Sequence, residues 1–89
     1  MPKIDGRNEI LKAIGTMGFR YDPRSHDKYK LSGADGWRLD VGQRTVRLEH
    51  RRGDAWAGYS DSLYYGQVKS PEFAQAWVGW ALGTIRLGR

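Results

Sequence analysis

Apolar residues follow one period at the two ends of the chain and another in the middle. Near the start, Ile10, Leu11, Ile14 and Met17 recur three and four positions apart, while Asn8, Lys12 and Thr16 point elsewhere. That spacing predicts a helix with one apolar face from about Gly6 to Met17. Asp5 stands where a carboxylate can accept the free N–H groups of a first turn. Gly18 can take the left-handed position that closes such a helix, with Phe19 folding back on Ile14 as the apolar contact. Gly15 weakens the last turn by ~1 kcal/mol relative to alanine.

Beyond residue 36 the period falls to two. Trp37, Leu39 and Val41 alternate with Arg38 and Asp40, as in a strand with one buried face. Gly42 and Gln43 suit a two-residue reversal with glycine first, so the return strand runs from Arg44 to about Arg51. This register sets Leu39 opposite Val46 and Trp37 opposite Leu48. Gly53 and Asp54 begin a second reversal, after which Ala55, Ala57 and Tyr59 share the inner face and Trp56 the outer. A fourth, brief strand is expected within Leu63–Val68. The polar segment 20–36 reads as a long loop with a short strand around Tyr29–Leu31, because Pro23 moves Asp22 out of the helical region and ADG forms a turn. A loop of that length is either functional or mobile.

Ser70, Pro71 and Glu72 mark the start of a second helix through a cap, a proline at the first helical position and an early acid. Phe73, Ala74, Trp77, Val78 and Ala81 form its apolar face, extended by Trp80 on one flank and Ile85 on the other. No lysine or arginine interrupts it before Arg86. The expectation is an α+β fold in one compact domain over 1–89, ordered helix, three- or four-stranded antiparallel sheet, helix. Both helices pack on one sheet face.

Composition narrows the chemistry. At 89 residues the core is small, and four tryptophans, five tyrosines and two phenylalanines supply much of its apolar area. The absence of cysteine excludes disulfides, thiolate nucleophiles and cysteine metal sites. Two histidines far apart and scattered aspartates match no usual metal spacing, and the glycines form neither a GxGxxG motif nor a phosphate loop, so neither metal nor cofactor is expected. No run approaches the roughly 18 apolar residues of a membrane span. With no secretory segment at the start, the expected location is cytoplasmic. The formal charge is +5, and ten of fifteen bases are arginine, which suits phosphate and can stack on bases.

Strand parity gathers Arg38, Asp40, Arg47, Glu49, Arg51 and Trp56 on the outer sheet face. The leading functional expectation is therefore a small basic nucleic-acid-binding protein. It would use Arg38, Arg47, Arg51, Arg52 and Trp56, with Lys28 and Lys30 extending the field from the loop. The alternative is a protein-binding accessory or inhibitor acting on a nucleic-acid-handling partner, anchored by Tyr64, Tyr65 and Trp80. Self-association as a homodimer belongs to this class, because the second helix offers more apolar arc than a small sheet covers. His50 shares the parity of Val46 and Leu48 and so turns inward. His26 lies in DPRSHDKY, where Asp22 or Asp27 can orient it and Arg24 and Lys28 can stabilise charge, a weaker ribonuclease arrangement.

The order helix, strands, helix resembles the double-stranded-RNA-binding domain. EILKAIGTMGF followed by SHDKY resembles the start of HicA-type toxin ribonucleases, which share that layout and carry a histidine after the first helix. The second resemblance implies that His26 acts in RNA cleavage. The sequence departs from the toxin pattern after Gly33, and the second helix begins SPEFAQAW where the RNA-binding domains present lysines.

Overall fold

The structure, a computed structural model, describes residues 4–88. Helix α1 (Gly6–Thr16) starts where the Asp5 carboxylate accepts the backbone N–H of Asn8 at 3.1 Å. It ends in a Schellman motif. The Phe19 N–H donates to the Ile14 carbonyl at 3.1 Å and the Gly18 N–H to the Gly15 carbonyl at 3.3 Å, with Gly18 at φ 92°. Helix α2 (Pro71–Leu87) begins with Ser70 accepting the Phe73 N–H at 3.1 Å. Both helix starts and the end of α1 follow the local signals in the sequence.

Between the helices lies one antiparallel sheet of β1 (Arg20–Tyr21), β2 (Lys28–Lys30), β3 (Trp37–Val41), β4 (Thr45–Arg52), β5 (Ala55–Gly58) and β6 (Leu63–Tyr64). The spatial order is β1-β2-β3-β4-β5, and β6 pairs with the beginning of β4 on the edge that β5 takes further along. The helix–sheet–helix order is as expected, but the sheet has six strands, not three or four. Segment 20–36 is not one long loop. Residues 22–28 form a closed hairpin in which Asp22 N–H meets the Lys28 carbonyl at 2.8 Å and Ser25 N–H the Asp22 carbonyl at 3.1 Å. The Val41 N–H then donates to the Asp27 carbonyl at 2.9 Å, tying the hairpin to β3. The short strand expected around Tyr29–Leu31 is β2, one residue earlier, whereas the two residues of β1 are too few to show a period and form a strand by pairing with β2.

The β3–β4 register also differs from the expected one. Leu39 pairs with Leu48, Val41 with Val46 and Trp37 with His50, so the reversal falls at Gln43–Arg44 and not at Gly42–Gln43. Tertiary bonds hold Gly42 in the ladder. Its N–H donates to the Thr45 carbonyl at 2.9 Å, and its carbonyl accepts both the Tyr65 hydroxyl at 2.8 Å and Arg7 Nε at 3.1 Å. Because the slip is by two residues, every side chain keeps its expected face.

The inner face is apolar and buried. Leu39, Val41, Val46 and Leu48 form one buried cluster with Ile10 and Ile14 of α1 and Val78 and Ile85 of α2. Both helices thus lie over the same side of the sheet. A single 3-10 turn, Tyr65–Gln67, closes one end of this core. The Tyr65 hydroxyl also reaches the Thr45 carbonyl at 2.8 Å, and burial pushes its pKa up to about 12 despite the opposing charge and hydrogen bond of Arg7. Gly6 lies so close to the Tyr65 carbonyl that a β-carbon there would overlap it.

Candidate nucleic-acid interface

Opposite the helices, cross-strand pairing arranges the charged side chains in rows. Arg20 faces Lys30, and since Tyr29 pairs with Leu39, Lys30 in turn faces Arg38; Arg38 faces Glu49, and Glu49 faces Gly58. The row beside it runs Lys28, Asp40, Arg47, and Arg51 pairs with Trp56 in the row on the other side. Arg20, Lys28, Lys30, Arg38, Arg47 and Arg51 therefore share a face with the carboxylates of Asp40 and Glu49, and the Asp22 carboxylate lies at its β1 end. No helix covers this face among the described residues.

Glu49 is the centre of this surface. Although on the outer side, it is only 4% exposed, because the side chains around it form its cover. Arg38 Nε donates to its Oε1 at 2.7 Å, Arg47 Nη2 donates to Oε2 at 2.8 Å, and Lys28 Nζ lies 3.8 Å away while contacting Asp40 at 2.8 Å. Burial alone would raise the Glu49 pKa. The hydrogen bonds from Arg38 and Arg47, with the charge of Lys28, override that and hold it below the ordinary carboxylate range. Gly58 makes room for one of these partners. A β-carbon at Gly58 would lie 3.0 Å from Arg47 Cδ and 3.2 Å from its Nε, so Arg47 passes across a strand without a side chain in its way. The cost is that Arg47 Nε is buried with no hydrogen-bond partner.

Trp56 is half-buried beside this network, and its ring carries cations. The Arg38 guanidinium carbon is 4.1 Å from the ring centroid and Lys30 Nζ is 5.5 Å from it. Arg38 is thus held from two sides, by Glu49 and by the indole. Arg51 and Arg52 are exposed, and Arg51 Nε donates to the Gly53 carbonyl at 3.0 Å. Sequence reasoning misses Arg20, because the period shows a short strand only around Tyr29–Leu31 and Arg20 joins this face through pairing with Lys30. Near the far end of the row, the Asp22 carboxylate accepts the Arg24 N–H at 3.0 Å and approaches Lys30 at 3.9 Å. That backbone hydrogen bond, aided by Arg24 and Lys30, lowers its pKa against the effect of burial.

The other expected residues lie elsewhere. His26 is at the tip of the β1–β2 hairpin, 88% exposed, with Nε2 3.2 Å from the Asp27 carboxylate. His50 stacks on Trp37 at 5.4 Å, and Tyr59 meets both rings edge-on at 5.5 and 5.1 Å. Its inward parity is as expected. Tyr64 is exposed, whereas Tyr65 turns its hydroxyl into the β3–β4 reversal. Trp80 is exposed on α2, away from the sheet network. Among the described residues no cluster of His, Asp and Glu suits a metal ion, and no helix is long and apolar enough to cross a membrane. No family model, curated protein or solved structure matches the chain.

Proposed function

We propose that this protein binds nucleic acid through the open face of its sheet, and that it does so mainly through phosphates. The observation that carries the reading is the row Arg20, Lys30, Arg38, three cations side by side across three strands on a face without a helix over it. Neighbouring strands are about 4.8 Å apart, so the row spans roughly 10 Å and can follow a stretch of sugar-phosphate backbone. Arg38, already oriented by Glu49 and Trp56, loses little side-chain entropy on binding, and Lys30 is steadied over the same ring. Arg38 occupies part of the Trp56 ring, so the indole serves first to set the guanidinium. Base stacking is secondary, and recognition is expected to be tolerant of sequence.

The test uses labelled single-stranded and duplex oligonucleotides and fluorescence anisotropy over a range of salt. Lys30→Ala and Arg20→Ala are the informative variants, because neither side chain hydrogen-bonds Glu49. Each is expected to weaken binding similarly for different sequences and to reduce the logarithmic salt slope by roughly 0.7 to 0.9. Binding that ignores both substitutions, or that does not fall with salt, rejects the proposal.

A further inference from the structure

The buried side of α2 is the stripe Ala74, Val78, Ala81 and Ile85. On the opposite side, Phe73, Ala76, Trp80, Gly83 and Leu87 follow one another at alternating spacings of three and four, the pattern of a helix face that meets another helix. Phe73, Trp80 and Leu87 are exposed, Trp80 to 43% and Leu87 to 90%. Trp77 packs against the core and its ring lies 5.7 Å from that of Trp80, steadying the exposed indole. Gly83 has no internal explanation. A β-carbon there would meet nothing within 4 Å, and glycine is a poor helix former in a helix interior. Close approach of an outside helix would give it one.

We propose that α2 is a dimerisation helix whose exposed face packs antiparallel on the same face of a second copy. A twofold axis at Trp80 pairs bulk with bulk, since Phe73 then meets the partner's Leu87. It also pairs small with small, since Ala76 meets the partner's Gly83 and the two indoles lie against each other beside that gap. Charge selects the same arrangement. The face has no charged residue between Glu72 at its start and Arg86 at its end. Antiparallel packing brings each Glu72 to the partner's Arg86 on the same flank, about two residues or ~3 Å out of line along the axis, within reach of an arginine. Parallel packing would instead place like charges together. This inference is independent of nucleic-acid binding, as the α2 face and the basic sheet face lie on opposite sides of the core.

A contact of one helix on another falls below the roughly 1,200 Å² of a tight interface, so a dissociation constant of about 10–100 µM is expected. Sedimentation equilibrium of the full chain from about 1 µM to 1 mM should show a reversible dimer. Trp80→Glu, with far-UV circular dichroism and thermal unfolding unchanged, should weaken it at least about 30-fold. Glu72→Arg and Arg86→Glu should each weaken it, and the two together should restore it. A chain that stays monomeric throughout overturns the proposal and leaves the face to a different partner. Dimerisation unaffected by Trp80→Glu overturns it in favour of another surface, and failure of the double reversal to restore association overturns the antiparallel pairing.

Discussion

Replacing Glu49 with glutamine removes one charge and almost no volume, yet it should destabilise the protein strongly. The carboxylate is 4% exposed and receives hydrogen bonds from Arg38 at 2.7 Å and Arg47 at 2.8 Å. In Glu49→Gln the amide keeps one acceptor and turns a donor toward the other arginine. The Arg38 and Arg47 guanidinium groups are then left close together without their counter-ion, while Lys28 keeps Asp40 at 2.8 Å. Removing one member of a buried ion pair costs about 3–5 kcal/mol. Arg47 is 40% exposed, so water screens part of the loss. A value of about 2–3 kcal/mol follows, or roughly 10–20 °C in Tm for a domain of this size. Urea unfolding followed by circular dichroism measures it, with Asp61→Asn at an exposed position as a control expected within about 0.5 kcal/mol. The pH dependence gives a second readout. The folded-state pKa of Glu49 lies below its unfolded value, so its contribution is present above about pH 4.3 and is lost as pH falls through the folded pKa. Glu49→Gln should flatten that part of the acid limb. A variant as stable as the parent, with the same acid limb, would refute the assignment of Glu49 as the organising charge.

Tyr65→Phe removes the hydroxyl shared by the Gly42 and Thr45 carbonyls and should cost about 1–2 kcal/mol in chemical denaturation. The raised pKa of this phenol also means that its stabilisation is complete below about pH 10 and fades as pH rises toward about 12; the variant should lose that alkaline dependence. Gly6→Ala should lower stability by about 1–3 kcal/mol, because the added β-carbon overlaps the Tyr65 carbonyl and must push α1 away from the 3-10 turn. Thermal unfolding reads this directly, and an unchanged Tm would mean that the contact is not close.

The sequence by itself determined what depends on near neighbours. The Asp5 and Ser70 caps and the Schellman ending at Gly18–Phe19 need only residues within one or two turns, and all three form where their signals stand. Period-two alternation likewise decided that Val46 and Leu48 face the core while Arg47, Arg51 and Trp56 do not. A two-residue slip in register leaves that parity intact. Contacts between residues distant in the chain decided the rest. Tyr65 and Arg7 hold the Gly42 carbonyl and move the β3–β4 reversal, though they lie 23 and 35 residues from it. Pairing with β2 made a strand of β1, a segment too short to announce itself, and so brought Arg20 into line with Lys30 and Arg38. The burial of Glu49 belongs to the same class. Alternation assigns it to the solvent side, and only the meeting of Arg38, Arg47 and Lys28 above a strand cleared by Gly58 takes it out of water.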